Sequence, residues 1–385
     1  MSDLSENEKL LIKKIGENSL EDVKQLLNSS DVRINCCDEN GMNALQHSSY
    51  KGNYEITKYL LERGADVNHN QHVHGYTALM FAALGGHQKV VNLLLENGAN
   101  VSAVNSVGRN ASQMAAFVGQ HPTVAIINNF ISRESIEYYT KIHGLETEPR
   151  LTARLVSPLH SFVRQTNIHP IRIGLYLKKN WILIENGNKI IKVLELLCER
   201  QLKSNEQNEM ISIKLHHLAF IFNQILKYLS KNDKNSDKNE SKTDNNKEED
   251  LKKLDTLLKS WLKPRQSDGF PLLLEQLLRQ SIREFPYHES ALFQQLVRTL
   301  ANVEIGSEPS AVSILSQAIN GQKGFDEDSQ VCGACAEPNP SKRCSQCKQM
   351  SYCDVECQRL HWSSHKKFCK VVPQSEPEES HSSSN

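Results

Sequence analysis

The sequence predicts a mainly α-helical protein built from three successive parts. Three observations predict this fold class: a repeat of 33 or 34 residues near the N-terminus, apolar residues at helical spacing in the middle, and cysteines at metal-ligand spacing near the C-terminus. A chain of 385 residues is long enough for two or three domains. We therefore expect a helical solenoid, then a helical region, then a small module that metal ions stabilise.

The composition argues against several classes of protein. The formal net charge is zero, so no overall field attracts nucleic acid or an anionic membrane. No apolar run approaches the ~18 residues of a membrane span. The opening "MSDLSENEKL" lacks the basic and then apolar layout of a signal peptide. We expect a cytosolic or nuclear protein without membrane insertion, whose cysteines stay reduced and need a role other than disulfide bonding.

The repeat appears in three segments that begin at Gly41, Gly75 and Gly108. The second of them reads "GYTALMFAALGGHQKVVNLLLENGANVS", and the other two align with it. A degenerate earlier copy, "IGENSLEDVKQLLNSSDVRIN", ends at Asn35. One copy cannot bury its own apolar face, so about three or more are needed. The sequence meets this requirement, with the first copy acting as a cap.

These segments resemble the ankyrin repeat. The resemblance is strongest at "GADVN" from Gly64 and "GANV" from Gly98, where a helix ends and φ must become positive. It departs from the family at the T-P-L-H box, which keeps Thr77 but has Ala78 and Met80 in place of Pro and His. The resemblance implies stacked helix pairs, and we expect this ankyrin-repeat solenoid to span residues 5–130.

Residues 131–325 show helical spacing but no functional motif. Their apolar residues predict helices at 190–202, 215–229, 251–262, 272–282 and 291–303. Residues 230–250, "SKNDKNSDKNESKTDNNKEED", contain no apolar side chain. Burial there cannot offset the entropy lost on ordering, so we predict a disordered insert. The polar tail at 373–385 predicts disorder for the same reason.

The cysteine cluster predicts two zinc sites. Seven of the ten cysteines lie between Cys332 and Cys369. With one histidine they form four pairs: Cys332 with Cys335, Cys344 with Cys347, Cys353 with Cys357, and His365 with Cys369. Eight soft ligands match two tetrahedral zinc ions, and such closed sites are structural because no position stays open for water. Spacing alone leaves three ways to combine the pairs.

The cluster, with "YC", "CQ", "HW" and "HKKFC", resembles the MYND zinc finger. The resemblance implies interleaved sites, one of Cys332, Cys335, Cys353 and Cys357, the other of Cys344, Cys347, His365 and Cys369. It also implies a module that binds short proline-containing peptides in a groove lined by Gln358 and Trp362. Trp362 could equally be a packing residue of so small a fold.

The charge of the finger does not favour nucleic acid. Residues 331–372 contain seven Lys or Arg and three acidic residues. The negative thiolates then outweigh the charge of two zinc ions and leave only a small positive total. This field is too weak for a phosphate track, so we expect protein partners.

The ankyrin segment contains a candidate partner-binding row. Tyr50, Leu84 and Phe117 occupy the variable position after the small residues of each repeat, and Tyr76 and Arg109 follow the repeat glycines. An apolar row of this kind exceeds what solvation requires, so we expect a partner on it, outside the layer between repeats. The alternative is that the row packs against the chain's own helical middle.

Histidines and cysteines in the repeat turns have an ordinary interpretation. His69, His72 and His74 lie in one turn, where we expect hydrogen bonding within the loop, with a metal site as the alternative. Cys36 and Cys37 lie in the preceding turn as reduced thiols.

No nucleophile–base set, P-loop or dinucleotide fingerprint is present. MYND fingers also occur in SET-type lysine methyltransferases, but residues 131–325 show neither a cofactor signature nor a strand pattern. We therefore interpret the protein as a non-catalytic adaptor with two docking modules.

The order of the parts, with the strings "VNSVGR", "QMAAFVGQH", "SDGFP" and "QQLVR", resembles a family that combines ankyrin repeats with a MYND finger. The resemblance covers most of residues 5–372 and implies a cytoplasmic adaptor in the trafficking of signalling proteins to cilia. It also implies isomerases of the FK506-binding class as partners. The alternative is a nuclear corepressor-type scaffold, although no strong basic localisation cluster is present.

Overall fold

The computed structural model describes residues 4–28, 31–203, 207–231, 244–267, 269–321 and 330–369. It is mainly α-helical, as the sequence predicts. The described residues form two compact units. The first contains those of Met1–Thr166, Lys192–Leu215 and Leu315–Phe325, and the second those of Asn167–Ile191, His216–Ile314 and Asp326–Asn385.

The repeats of the first unit form four helix pairs. These are α1 (Glu6–Gly16) with α2 (Leu20–Leu27), α3 (Ala44–Lys51) with α4 (Tyr54–Glu62), α5 (Ala78–Leu84) with α6 (Gln88–Glu96), and α7 (Ala111–Phe117) with α8 (His121–Asn128). Helices α1, α3, α5 and α7 pack in one row, and α2, α4, α6 and α8 in a second. The predicted repeat stack, including its degenerate first copy, is therefore present.

Each repeat begins its first helix with the same kind of cap. The side chains of Asn43, Thr77 and Asn110 accept hydrogen bonds from the backbone N–H three residues later, at 2.9, 3.3 and 2.9 Å. These bonds satisfy donors that a helix start leaves free. The cap at Thr77 forms although the neighbouring Pro and His of the ankyrin pattern are absent.

Small residues bring neighbouring repeats close together. Ala82, Ala83 and Ala115 are fully buried between the helices of the first row. The imidazole of His87 lies so close to Gly52 that a Cβ there would come within 2.5 Å of its Nδ1 atom. His87 Nε2 donates a hydrogen bond to the carbonyl oxygen of Tyr50 at 3.0 Å. Glycine at position 52, where φ is +73°, thus permits a polar link between two repeats.

Further helices follow the repeats along the chain. They are α9 (Arg133–Glu137), a 3-10 helix (Tyr138–Thr140), α10 (Ala153–Val163), α11 (Pro170–Lys179), α12 (Trp181–Glu185), α13 (Gly187–Lys203), α14 (Glu209–Lys231), α15 (Asp244–Trp261), α16 (Leu272–Arg283), α17 (Ala291–Ala301) and α18 (Ala311–Asn320). Helices α13 to α17 coincide with the five predicted ones. The others lie in sequence that gave no clear apolar period.

The predicted disordered insert at 230–250 needs correction at both ends. Residues 230–231 belong to α14, and residues 244–250 form the start of α15. Lysines and acidic residues four positions apart stabilise this polar helical start without apolar burial, as in the pair of Lys252 with Glu248 at 3.0 Å. Residues 232–243 and the predicted tail at 373–385 lie outside the described residues.

The end of the repeat stack in the first unit is held by the segment that follows it. Arg164, after α10, pairs with Glu96 at 2.7 Å and also donates to Asn92. Its guanidinium lies 5.4 Å from the ring centre of Phe130. These contacts tie the segment after α10 to α6 of the third helix pair and to Phe130, which follows the last pair.

The C-terminal part of the second unit contains two short strands and one helix. Strands β1 (Lys342–Arg343) and β2 (Ser351–Tyr352) pair antiparallel, and α19 (Val355–Cys369) follows. Tyr352 is fully buried, and its hydroxyl lies 3.1 Å from Nδ1 of His361. Within the parts of the chain described, no helix combines the length and apolarity needed to cross a membrane.

Candidate functional site

Two turns of the same shape present the first cysteine pairs. The N–H of Cys332 donates to the Glu337 carbonyl, and the N–H of Cys344 donates to the Met350 carbonyl, both at 2.8 Å. Four residues after each of these cysteines, Ala336 and Lys348 adopt positive φ values of +55° and +57°. The left-handed residue closes each turn and keeps both sulfurs of the pair on its inner side.

Helix α19 supplies three of the remaining ligands. Cys357 lies in its first turn, where its N–H donates to Oδ1 of Asp354 at 2.9 Å. His365 and Cys369 lie four residues apart and therefore on one face of the helix. The fourth, Cys353, comes directly after β2, so the strand and the helix fix all four side chains.

The eight side chains converge in two groups. Within each group the ligand atoms all lie within 4.8 Å of one another: Cys332, Cys335, Cys353 and Cys357 in the first, and Cys344, Cys347, His365 and Cys369 in the second. This is the interleaved pairing that the MYND resemblance implies.

The distances within the groups suit zinc. Sγ of Cys335 lies 3.7 Å from that of Cys353 and 3.8 Å from that of Cys357. In the second group, Sγ of Cys344 lies 3.9 Å from that of Cys369. A tetrahedron of sulfurs about 2.3 Å from zinc has edges of about 3.8 Å. The two groups therefore fit two structural zinc ions.

The electrostatic surroundings differ among the ligands. Burial lowers the pKa of His365, which favours the neutral imidazole that a metal needs. Hydrogen bonds among the thiols of the first group lower the pKa of Cys332 and raise that of Cys357, so the charge of this group is concentrated on one sulfur. Each group already offers four ligands, so neither leaves the open position of a catalytic zinc site.

The finger is held to helices of the second unit at two places. Lys178 of α11 pairs with Asp255 of α15 at 2.7 Å and with Glu356 of α19 at 2.6 Å. Arg359 of α19 binds the same Asp255. These residues were not found from the sequence, because isolated charged residues far apart in the chain show no pattern.

The second attachment is at the first zinc turn. The side-chain amide of Asn167 donates to the carbonyl oxygen of Cys335 at 2.9 Å and to Glu337 at 2.7 Å. Ser364 Oγ of α19 also donates to the carbonyl oxygen of Leu262 at 2.8 Å. The zinc finger and these helices thus share one packed structure. Gln358 and Trp362 take no part in these contacts and stay partly exposed.

The candidate row on the repeats is partly exposed. Tyr50 is 51% and Phe117 74% exposed, so neither packs against the helical middle. Leu84 and Tyr76 are partly buried against the repeat core, which corrects the expectation that the whole row lies outside that layer. The Arg109 guanidinium lies 4.8 Å from the ring centre of Phe117.

The structure adds two rings to this surface: Phe81, which the sequence analysis did not name, and His72, which it placed only in the turn. The Phe81 ring lies 5.8 Å from Tyr50 and 5.5 Å from Tyr76, and His72 stacks on Tyr76 at 5.1 Å. Phe81 stands three residues before Leu84, and this helical spacing was the available signal. Tyr50, His72, Tyr76 and Phe81 form what we call the aromatic cluster.

The three turn histidines do not converge on one point. Nε2 of His69 lies 3.1 Å from Sγ of Cys37, whereas His72 and His74 pack ring to ring at 5.5 Å. Among the described residues, only the two finger groups bring three or more metal ligands together. The interpretation of this turn as a hydrogen-bonded and packed loop therefore fits better than the metal alternative.

Comparison with known proteins supports both modules. A family model of ankyrin repeats, in three copies, matches residues 11–105, and one of the MYND finger matches residues 330–369. Dauer abnormal formation protein 25 of Caenorhabditis elegans is 34% identical over 338 residues, covering 87% of this chain and 83% of that protein. The chain belongs to this family of ankyrin-repeat and MYND-finger proteins.

A second relative shares a short segment. Tudor domain-containing protein 1 of Mus musculus is 42% identical over 66 residues, which are 17% of this chain and 6% of that protein. Ankyrin repeats and MYND fingers are protein-interaction modules. The family membership therefore supports a protein-interaction adaptor with protein partners.

Proposed function

We propose that the protein is a non-catalytic cytoplasmic adaptor that binds different partners on its repeats and on its finger, in the trafficking of signalling proteins to the cilium. One observation carries the adaptor part: the chain holds two interaction modules and places them in separate compact units. The trafficking role and an FK506-binding-type isomerase partner rest on the family resemblance alone.

The proposed docking surface on the repeats consists of Tyr50, Leu84, Phe117, Tyr76 and Arg109. The exposed rings of Tyr50 and Phe117 are its anchors, because a partner that covers them removes apolar surface from water. The partly buried Leu84 and Tyr76 form its floor. Aromatic and arginine side chains are also the usual energetic centres of interfaces.

The proposed docking surface on the finger contains Gln358 and Trp362 and takes a short proline-containing peptide. Both lie on α19 and are partly exposed, while Glu356, Arg359 and Ser364 of the same helix hold it to the second unit. A partner can therefore reach Gln358 and Trp362 without displacing the finger.

We propose residues 5–130 as the ankyrin module, 131–325 as the helical region and 332–369 as the finger.

Pull-down experiments with two double variants test this proposal. Tyr50→Ser with Phe117→Ser should lose one set of partners, and Gln358→Ala with Trp362→Ala should lose another. Each buried anchor contributes about 2 kcal/mol, so each loss should be at least tenfold. Leu84 is left unchanged because it supports the repeat core.

Tyr138→Ser is the matched control, since Tyr138 is also exposed and lies outside the repeats. Circular dichroism should show that all variants keep their helices. Retention of all partners by both double variants would contradict the adaptor proposal.

Imaging in ciliated cells tests the trafficking part of the proposal. Without the protein, the amount of signalling proteins in the cilium should decline. Accumulation of the protein in the nucleus would oppose this role.

A further inference from the structure

The row of repeat helices that carries the docking surface has an unusual charge distribution. Helices α3, α5 and α7, which contribute Tyr50, Leu84 and Phe117, contain no Asp or Glu. Helices α4 and α6 of the second row carry Glu55, Glu62 and Glu96. On these five helices the acidic side chains thus lie only in the second row; in the first row, Glu6 and Glu8 lie on α1, which contributes no residue to the docking surface.

Two cations beside these rings form no ion pair within the part of the chain that the structure describes. Lys51 directly follows Tyr50 and is exposed, and Arg109 lies over the ring of Phe117. No described residue forms an ion pair with either of them, although other exposed cations of the first unit do, such as Lys9 with Glu6. Unpaired cations next to an exposed apolar surface complement a ligand that brings both carboxylates and apolar groups.

Arg109 is already oriented for such a ligand. Its guanidinium plane is held near the ring of Phe117, 4.8 Å from the ring centre. An arginine held in this way keeps N–H donors free at its edge, and these can bind a carboxylate with two parallel hydrogen bonds. Because the side chain is partly ordered before binding, less entropy is lost when the carboxylate arrives.

The tips of the repeat turns change in charge along the stack. In equivalent register, the first tip, residues 38–42, reads "DENGM", the second, 72–76, reads "HVHGY", and the third, 105–109, reads "NSVGR". In the first tip, Asp38 accepts a hydrogen bond from Nε2 of His47 at 2.8 Å, and Glu39 is exposed beside it. A carboxylate on the ligand is therefore repelled at the first tip and attracted at the third.

We propose that the repeat surface selects a segment of its partner in which Asp or Glu stands next to an aromatic or aliphatic residue. The carboxylate binds Arg109, the apolar neighbour covers Phe117, and Lys51 with the aromatic cluster takes the rest of the segment. This inference rests on the proposed docking function, and it adds the chemistry of the segment that docks and the repeat at which its acidic residue binds.

A library of random peptides displayed on phage, selected on the full chain, is the probe. Enriched peptides should contain Asp or Glu beside an aromatic or aliphatic residue. A synthetic copy of an enriched peptide should lose about tenfold in affinity when its acidic residue is changed to the matching amide. Higher salt should weaken the acidic peptide more than the amide peptide, because salt screens exposed charges.

The variants Arg109→Gln and Lys58→Gln complete the test. Arg109→Gln should weaken the acidic peptide about tenfold and leave the amide peptide almost unchanged, because only the acidic peptide pairs with the guanidinium. Lys58→Gln on α4, in the second row of helices, is the matched control and should affect neither peptide.

The outcomes separate the two proposals. Peptides that need Tyr50 and Phe117 but no acidic residue, or that Arg109→Gln weakens equally in both forms, would overturn this inference and leave the docking function standing. If no enriched peptide depends on Tyr50 and Phe117, both the inference and the docking surface on the repeats are wrong.

Discussion

Single polar residues decide the stability of individual repeats, and Glu8 is the clearest case. This carboxylate on α1 is 1% exposed. It accepts hydrogen bonds from the N–H of Ser5 at 3.0 Å, the N–H of Arg33 at 3.1 Å, and the guanidinium of Arg33 at 2.7 and 2.9 Å. The Arg33 guanidinium is the main cause that lowers the pKa of Glu8 to about 2.

The first prediction concerns the pH dependence of this contact. Since the pKa of Glu8 in the folded chain is below its ordinary 4.5, its stabilisation is complete above about pH 4.5 and is lost as pH falls towards 2. Glu8→Gln should lower the free energy of unfolding of the first unit by about 1–2 kcal/mol at neutral pH. The difference from wild type should shrink below pH 4.5 in denaturant titrations.

Glu6→Gln is the control for this prediction. Glu6 lies on the same helix and pairs with Lys9 at 2.8 Å, but its side chain is 90% exposed, so its loss should change little. An equal effect of the two variants, or a Glu8→Gln effect that stays constant with pH, would show that the pairing of the buried Glu8 with Arg33 is not the source of stability.

Among the elements, α19 has two structural roles, zinc ligation and packing against a neighbouring helix. It provides three zinc ligands, Cys357, His365 and Cys369, and it also packs on α15. Lys178 of α11 lies between the carboxylates of Asp255 and Glu356, with its side chain 16% exposed. This lysine therefore joins three helices through one charge.

The second prediction is that Lys178→Met loosens the finger. Without the cation, Asp255 and Glu356 face each other with only Arg359 to balance them. We expect the free energy of unfolding of the second unit to fall by about 1–3 kcal/mol and zinc to pass faster to a chelator. Thermal unfolding and a colorimetric zinc assay measure the two effects.

Lys179→Met tests whether the position of the charge matters. Lys179 is the next residue of α11 and is exposed, with no ion pair to any described residue. The Lys179→Met variant should have the same unfolding temperature and the same rate of zinc release as the wild type. Equal zinc release from both variants would mean that the finger is held by its metal ions alone.

For the whole molecule, the division into two units predicts that damage to the finger stays local. Cys344→Ser removes a ligand of the second zinc group. Because the two groups interleave, the loss of one site should unfold the finger, and metal content should fall from two zinc ions per chain to at most one. Hydrogen exchange should stay slow in α5 and α7 of the first unit.

Cys37→Ser is the matched control, because Cys37 is a free thiol outside both metal groups. This variant should retain both zinc ions. Elemental analysis that finds one zinc or none in the intact protein would contradict the two-site assignment. Fast hydrogen exchange throughout the repeats of Cys344→Ser would show that the two units do not fold separately.

Much of the site could be predicted from local patterns. The period near 33 residues predicted the helix pairs, and the spacing of the eight ligands between Cys332 and Cys369 predicted two metal sites. The pairing of the ligands came from the family resemblance, since spacing left three combinations open. The aromatic cluster was not predicted, although His72 was named as a turn histidine, because the contacts of Phe81 and His72 depend on neighbouring repeats.

The sequence by itself determines the repeat positions, the helix caps and the metal ligands, since each depends on residues a few positions apart. The tertiary structure decides how residues 131–325 are divided between the two units. It also decides the contacts of Asn167 with Cys335 and of Lys178 with Glu356, which join residues 168 and 178 positions apart. Such pairs leave no periodic signal, because a charge or an amide is equally common on a solvated surface. Only folding, which brings them together away from water, gives them their role.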